Sequence, residues 1–154
     1  MSELRELYQE TILDHSRKPK NYGKLEGATH RAEGYNPLCG DKIRLYLDVE
    51  GETVKDIRFE GAGCAISTAS ASLMTEAVKG KTVEYARALF RRLHETVTGQ
   101  KGADAEPGEP VEIGKLAVFE GVRQYPLRVK CATLAWHTLR NAIDGRGENV
   151  AVTE

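Results

Sequence analysis

The sequence predicts an α+β domain, and three observations carry that expectation. A stretch near residue 45 alternates apolar and polar residues and returns through a glycine turn, the pattern of an antiparallel β-hairpin. Helical apolar spacing precedes the hairpin and dominates everything after residue 64. With 154 residues, 40% hydrophobic and 29% charged, the chain can bury one core without disulfide staples and has the balance of a soluble globular protein.

Positions 2–17 read as a helix: Ser2 can cap it, Leu4, Leu7, Tyr8, Ile12 and Leu13 repeat at helical spacing, and Pro19 ends it. Lys20 to Gly34 shows no sustained period and reads as a loop with room for a short edge strand. From Lys42, Ile43, Leu45, Leu47 and Val49 share one face of a strand. Gly51-Glu52 supplies a two-residue turn, and Lys55 to Glu60 returns with Ile57 and Phe59 on the same face. Cys64 to Lys79 is rich in small helix-compatible residues and meets Gly80 where a terminating glycine belongs. Thr82 can cap the next helix, with Val83, Ala86, Phe90, Leu93 and Val97 along one face. Residues 99–121, rich in glycine, proline and acids, read as an insertion or mobile arm in which Val111 to Phe119 can form a short helix. Pro126 suits the first turn of a last helix whose face is Leu127, Cys131, Leu134, Ala135, Thr138, Leu139 and Ala142. One domain over 1–147 and a frayed tail over 148–154 complete the expected organisation.

A formal net charge of −1, without a block of bases, argues against nucleic acid as a partner. The N-terminus alternates acids and bases, so a signal peptide, a membrane span and membrane association are not expected, and a cytoplasmic location is. No heptad or large apolar stripe marks an obligate interface, so a monomer or weak self-association is expected.

The odd count of three cysteines directs attention to metal or redox chemistry. Cys39 lies in the turn-rich segment Asn36-Pro37-Leu38-Cys39-Gly40-Asp41, where a thiol and a carboxylate two residues apart can face one ion. Cys64 follows Gly61-Ala62-Gly63 and opens a helix, whose amide donors favour thiolate. Cys131 lies near the start of the last helix with Arg128 and Lys130 close in sequence, a third electropositive setting. Three thiolates and one carboxylate match a tetrahedral zinc site, with sulfur at about 2.3 Å and oxygen at about 2.0–2.2 Å, and could equally hold an iron–sulfur cluster. The bland alternative is that each cysteine is a small buried apolar residue, and the spacing lacks the Cys-x-x-Cys pairs of zinc fingers. His137 falls off the face of Cys131 and reads as partly buried or surface, while His15, His30 and His94 read as surface. Ser67, Thr68, Ser70 and Ser72 have no local histidine base and read as helix packing rather than a nucleophile.

Tyr35-Asn36-Pro37-Leu38-Cys39-Gly40-Asp41, Gly61-Ala62-Gly63-Cys64-Ala65-Ile66-Ser67 and Val129-Lys130-Cys131-Ala132-Thr133-Leu134-Ala135 resemble, in order, the three cysteine motifs of the IscU/NifU N-terminal family of iron–sulfur cluster assembly proteins. Scaffolds of the IscU type generally carry histidine immediately before the third cysteine. Lys130 there, together with the 99–121 insertion, is similar to the SufU-type branch. The resemblance implies a small antiparallel sheet with helices on one face, and zinc held by Cys39, Asp41, Cys64 and Cys131. It further implies persulfide sulfur accepted on Cys39 from a pyridoxal-phosphate cysteine desulfurase and passed toward downstream cluster-assembly or apo iron–sulfur proteins. Such a chain is a sulfurtransferase-like accessory protein rather than a stand-alone enzyme. Two alternatives stay open: a scaffold holding iron or a [2Fe–2S] cluster on the same four residues, and a structural zinc module. An acidic arm at 99–121 is expected beside the metal site, in reach of the desulfurase.

Overall fold

The computed structural model describes residues 2–99, 113–145 and 151–152. Helix α1 (Ser2–Arg17) leads into strand β1 (His30–Asn36), the hairpin β2 (Asp41–Glu50) and β3 (Thr53–Ala62), and helices α2 (Ala65–Val78) and α3 (Val83–Thr98). A 3₁₀ helix (Gly114–Gln124), α4 (Pro126–Ile143) and a two-residue strand β4 (Ala151–Val152) complete the fold. The sheet order is β3-β2-β1-β4, antiparallel except that β4 runs parallel to β1. The inward face of the sheet, Ala32, Ile43, Leu45, Leu47, Val54, Ile57 and Phe59, packs beneath α2 and α4. Among the described residues no helix is long and apolar enough to cross a membrane.

The hairpin forms as its alternation predicts, with Leu45 opposite Phe59 and Leu47 opposite Ile57, and Gly51 takes φ +64 in the turn. A register shift at Asp48/Val49 leaves Lys55 as an extra residue, so Val54 also turns into the core. Strand β1 lengthens what the sequence suggested as a loop with a short edge strand. Its inward positions are Ala32, Gly34 and Asn36, which carry no apolar period. Gly34 is small because α4 crosses there: a Cβ would collide with Thr138 Oγ1.

Helix α2 is buried nearly all round, which explains its small side chains. Ser70 Oγ donates to Ala132 O at 2.5 Å and accepts from Trp136 Nε1 at 3.2 Å, joining α2 to α4. His15 is not at the surface as expected: it is buried, with Nδ1 2.7 Å from Ser72 Oγ, which also accepts from Lys20 N at 2.8 Å. Burial lowers the His15 pKa, so the neutral ring serves as a hydrogen-bonded tether between α1 and α2. Ser72 thus has a histidine partner that local sequence did not reveal, but both are shut from solvent.

Thr82 caps α3, accepting from Tyr85 N at 3.0 Å, and Gly99 ends it at φ +74. The expected arm needs correction over its described part. Leu116, Val118, Phe119 and Val122 of the 3₁₀ helix are buried in the core, and Arg123 donates to Thr96 O from Nε at 3.2 Å and Nη2 at 2.9 Å. Residues 100–112 lie outside the described residues. The expected tail likewise contributes residues 151–152 to the sheet edge, opposite Gly34 and Tyr35, and its other positions lie outside the description. In α4 the predicted face is buried except for Leu127, which is 57% exposed one turn before Cys131.

Candidate metal centre

Two antiparallel strands and two helix starts bring the cysteines together. Asn36 and Asp41 are register partners that close the β1–β2 hairpin, so Pro37 to Gly40 forms a four-residue loop carrying Cys39, with Gly40 at φ +70. Asp41 opens β2 fully buried. At the far edge of the same sheet end, β3 passes through Gly63 to Cys64, the N-cap of α2, whose Sγ accepts from Ser67 N at 3.5 Å. Gly63 is required there because a Cβ would collide with Asp41 Oδ1. Cys131 arrives from above, in the second turn of α4, and is fully buried.

The side chains converge. Cys131 Sγ lies 3.3 Å from Cys39 Sγ, and Cys64 Sγ lies 3.9 Å from Asp41 Oδ2. Ligand atoms of Cys39, Asp41 and Cys131 all fall within 4.8 Å of one another. Two thiolates on a tetrahedral zinc would stand about 3.8 Å apart at the usual bond length, so this donor set fits zinc with shifts of a few tenths of an ångström. Asp41 is further held by Cys64 N, which donates to Oδ1 at 2.8 Å.

Sequence reasoning missed Asn36 as part of this centre. Its Nδ2 donates to Asp41 Oδ2 at 3.2 Å and to Cys131 Sγ at 3.5 Å, while Oδ1 accepts from Leu38 N at 3.3 Å. One buried amide therefore ties a carboxylate, a thiol and the Cys39 loop. Asn-Pro before the cysteine signals a turn, and only the passage of α4 over β1 gives the amide its second use.

The setting of Cys131 also differs from expectation. Its partners are Asn36, Cys39 and Leu127 O, not Arg128 or Lys130. Burial, then the neighbouring Cys39, Cys64 and Asp41, push its thiol far up from the ordinary range. A buried thiol beside two other thiols and a carboxylate needs a cation to ionise, which is what a metal supplies. Leu38 and Leu127, flanking Cys39 and Cys131 in sequence, are both exposed, as is Tyr125.

The model for the NifU-like N-terminal domain matches residues 7–132. The chain is 39% identical over 137 residues to the zinc-dependent sulfurtransferase SufU of Bacillus subtilis strain 168, covering 89% of each. It is 42% identical over 143 residues to the iron–sulfur cluster assembly scaffold protein IscU of Streptococcus pyogenes serotype M1, covering 93% of this chain and 86% of that one. A crystal structure from Fervidobacterium islandicum AW-1, described as a candidate iron–sulfur cluster assembly scaffold for the SUF system, superposes with a TM-score of 0.79 at 39% identity, covering 90% of this chain and 98% of that one. Three cysteine motifs in order, the sheet end that gathers them and these likenesses agree: the chain belongs to the NifU-like N-terminal domain family.

Proposed function

We propose that the chain is an iron–sulfur cluster assembly protein that accepts sulfur on Cys39 and holds zinc through Cys39, Asp41, Cys64 and Cys131. The observation that carries this reading is the convergence of three thiols and one carboxylate at one end of the sheet, with Cys39 on an outer loop and Cys131 in the floor. Bound zinc would supply the positive charge that keeps these sulfurs as thiolates. Asn36 and the Cys64 amide hold Asp41 in place, and the short loop leaves Cys39 able to swing outward.

The transfer requires one bond made and one broken. The Cys39 thiolate attacks the outer sulfur of a cysteine persulfide on a pyridoxal-phosphate desulfurase; the donor's S–S bond breaks, its cysteine leaves as thiolate, and Cys39 carries the persulfide. Downstream cluster-assembly or apo iron–sulfur proteins would take the sulfur on. A second reading, a scaffold on which a [2Fe–2S] cluster is built by the same residues, is favoured by the 42% identity to a scaffold protein. Lys130, where an imidazole would offer iron a neutral nitrogen, favours the sulfur relay.

The test is metal and acid-labile sulfide per chain after aerobic and anaerobic purification, with mass spectrometry of the protein after exposure to desulfurase and free cysteine. About one zinc, no sulfide and one added sulfur on Cys39, lost in Cys39→Ser, is the expected result. Iron with matching sulfide, and no effect on desulfurase turnover, would establish the scaffold instead.

A further inference from the structure

A second concave site lies along the C-terminal half of α4, roughly 9–18 Å up the helix axis from Cys131 at about 1.5 Å per residue. Here α3 and α4 diverge around an open cleft of about 350 Å³, within the usual range for small-molecule sites. Its floor is apolar, with Phe90 and Leu139 at the centre, and its rim carries Arg87, Arg91 and Arg140.

The charges at this rim are not balanced. Arg87 is taken by Asp144, and the one acid of the lining, Glu95, is taken by Arg92 at 3.2 Å. Arg91 and Arg140 have no acidic partner among the described residues. Arg140 is nonetheless held: its guanidinium stands 5.4 Å over the Phe90 ring, and its Nη2 lies 3.4 Å from His137 Nδ1. The His137 ring is itself fixed edge-on to Phe90 at 5.1 Å. Burial first, then Arg140 and His94, lower the His137 pKa to about 4, so near neutral pH the ring accepts from Arg140 without adding charge. Neither contact neutralises the guanidinium. A cation already restrained beside apolar walls loses little rotamer freedom on meeting an anion, and its planar donors suit carboxylate, sulfonate or phosphate oxygens.

We propose that this cleft binds a small organic anion, its acidic head on Arg91 and Arg140 and its apolar body against Phe90 and Leu139. A metal is not the occupant this geometry suits, because the His94 and His137 rings are 6.5 Å apart and no third ligand joins them among the described residues. An uncharged apolar ligand would leave the paired guanidiniums unused.

The test is fluorescence titration of the full-length, zinc-loaded protein with 8-anilinonaphthalene-1-sulfonate, which has an aromatic body and one sulfonate. Its uncharged counterpart N-phenyl-1-naphthylamine is titrated in parallel, and amide shifts map where each binds. The expected result is saturable binding of one sulfonate probe per chain, shifts confined to α3 and α4, and about tenfold weaker binding of the uncharged probe. Arg140→Gln should weaken the sulfonate probe about tenfold. Arg91→Gln, at an exposed position, should weaken it as well and keeps the test decisive if the Arg140 variant folds poorly. No saturable binding, equal affinity for the two probes, indifference to both substitutions, or shifts at Leu38, Tyr125 and Leu127 would each overturn the proposal. Zinc content and Cys39 persulfidation are measured on the same variants and stay unchanged, which separates this site from the metal centre.

Discussion

Replacing Asn36 by alanine isolates what the amide contributes to the metal centre. It removes the donor to Asp41 Oδ2 at 3.2 Å and the weaker one to Cys131 Sγ at 3.5 Å, while Asp41 keeps the Cys64 amide at 2.8 Å. Leaving a buried polar group short of a partner costs about 1–3 kcal/mol, and the long distances place this case near the middle, so the metal-free protein should lose about 2 kcal/mol. Loss of a partner that orients a ligand typically weakens metal affinity about 10–100-fold, which would narrow the stability gap between zinc-loaded and metal-free protein by about 1.4–2.7 kcal/mol. Urea unfolding of both forms, with zinc competition against a chelating dye, reads the two effects separately. If both forms weaken equally and zinc affinity is unchanged, Asn36 is packing alone and its assignment to the centre is wrong.

Three other outcomes follow from the same coordinates. Gly63→Ala pushes a methyl into the Asp41 carboxylate, so zinc content per chain should fall well below one even where the purified protein remains folded, as elemental analysis would show. Ser70→Ala leaves the buried Trp136 indole N–H and the Ala132 carbonyl without their shared partner and should cost about 1–3 kcal/mol in urea unfolding, with zinc binding intact. In metal-free protein the pH dependence is set in part by His137. Its folded pKa of about 4 lies below the free value of 6.5, so between those values the unfolded chain holds more protons and stability falls as pH drops. That loss should reach about 2–3 kcal/mol by pH 4, allowing for partial exposure, and His137→Gln should flatten it in pH-resolved thermal unfolding.

The sequence was most legible where one residue type has one job. Alternation from Ile43 to Val49 is a strand because no other backbone period puts those residues on one side, and Thr82 and Gly99 bracket α3 as a cap and a left-handed stop. Cys39, Asp41, Cys64 and Cys131 were nameable in advance because thiols at glycine-rich turns and helix starts have few other uses. Features decided by tertiary contact were not visible. The inward positions of β1 are small or polar because α4 presses on them, so the strand carries no apolar signature. His15 reads as surface until α2 presents Ser72 to it, and Leu127 shares the period of a buried face but lies outside the packed region. Val118 and Phe119 sit in a glycine-rich acidic stretch, where composition argues for a loop and packing overrides it.

The sulfur–sulfur approach between Cys39 and Cys131 joins positions 92 residues apart in sequence. A nascent chain therefore exposes the Cys39 loop, and then Cys64, long before the last donor has been synthesised. Three-coordinate capture of a thiophilic ion by the partial chain would be open to exchange, and only the arrival of α4 closes the set. Once bound, an ion at this point bridges a loop spanning most of the chain, so it restricts the unfolded ensemble much as a long-range cross-link would. Metal occupancy then reports completion of the whole fold rather than of any one motif, and a truncated product ending before α4 would lack both the floor of the centre and this restraint.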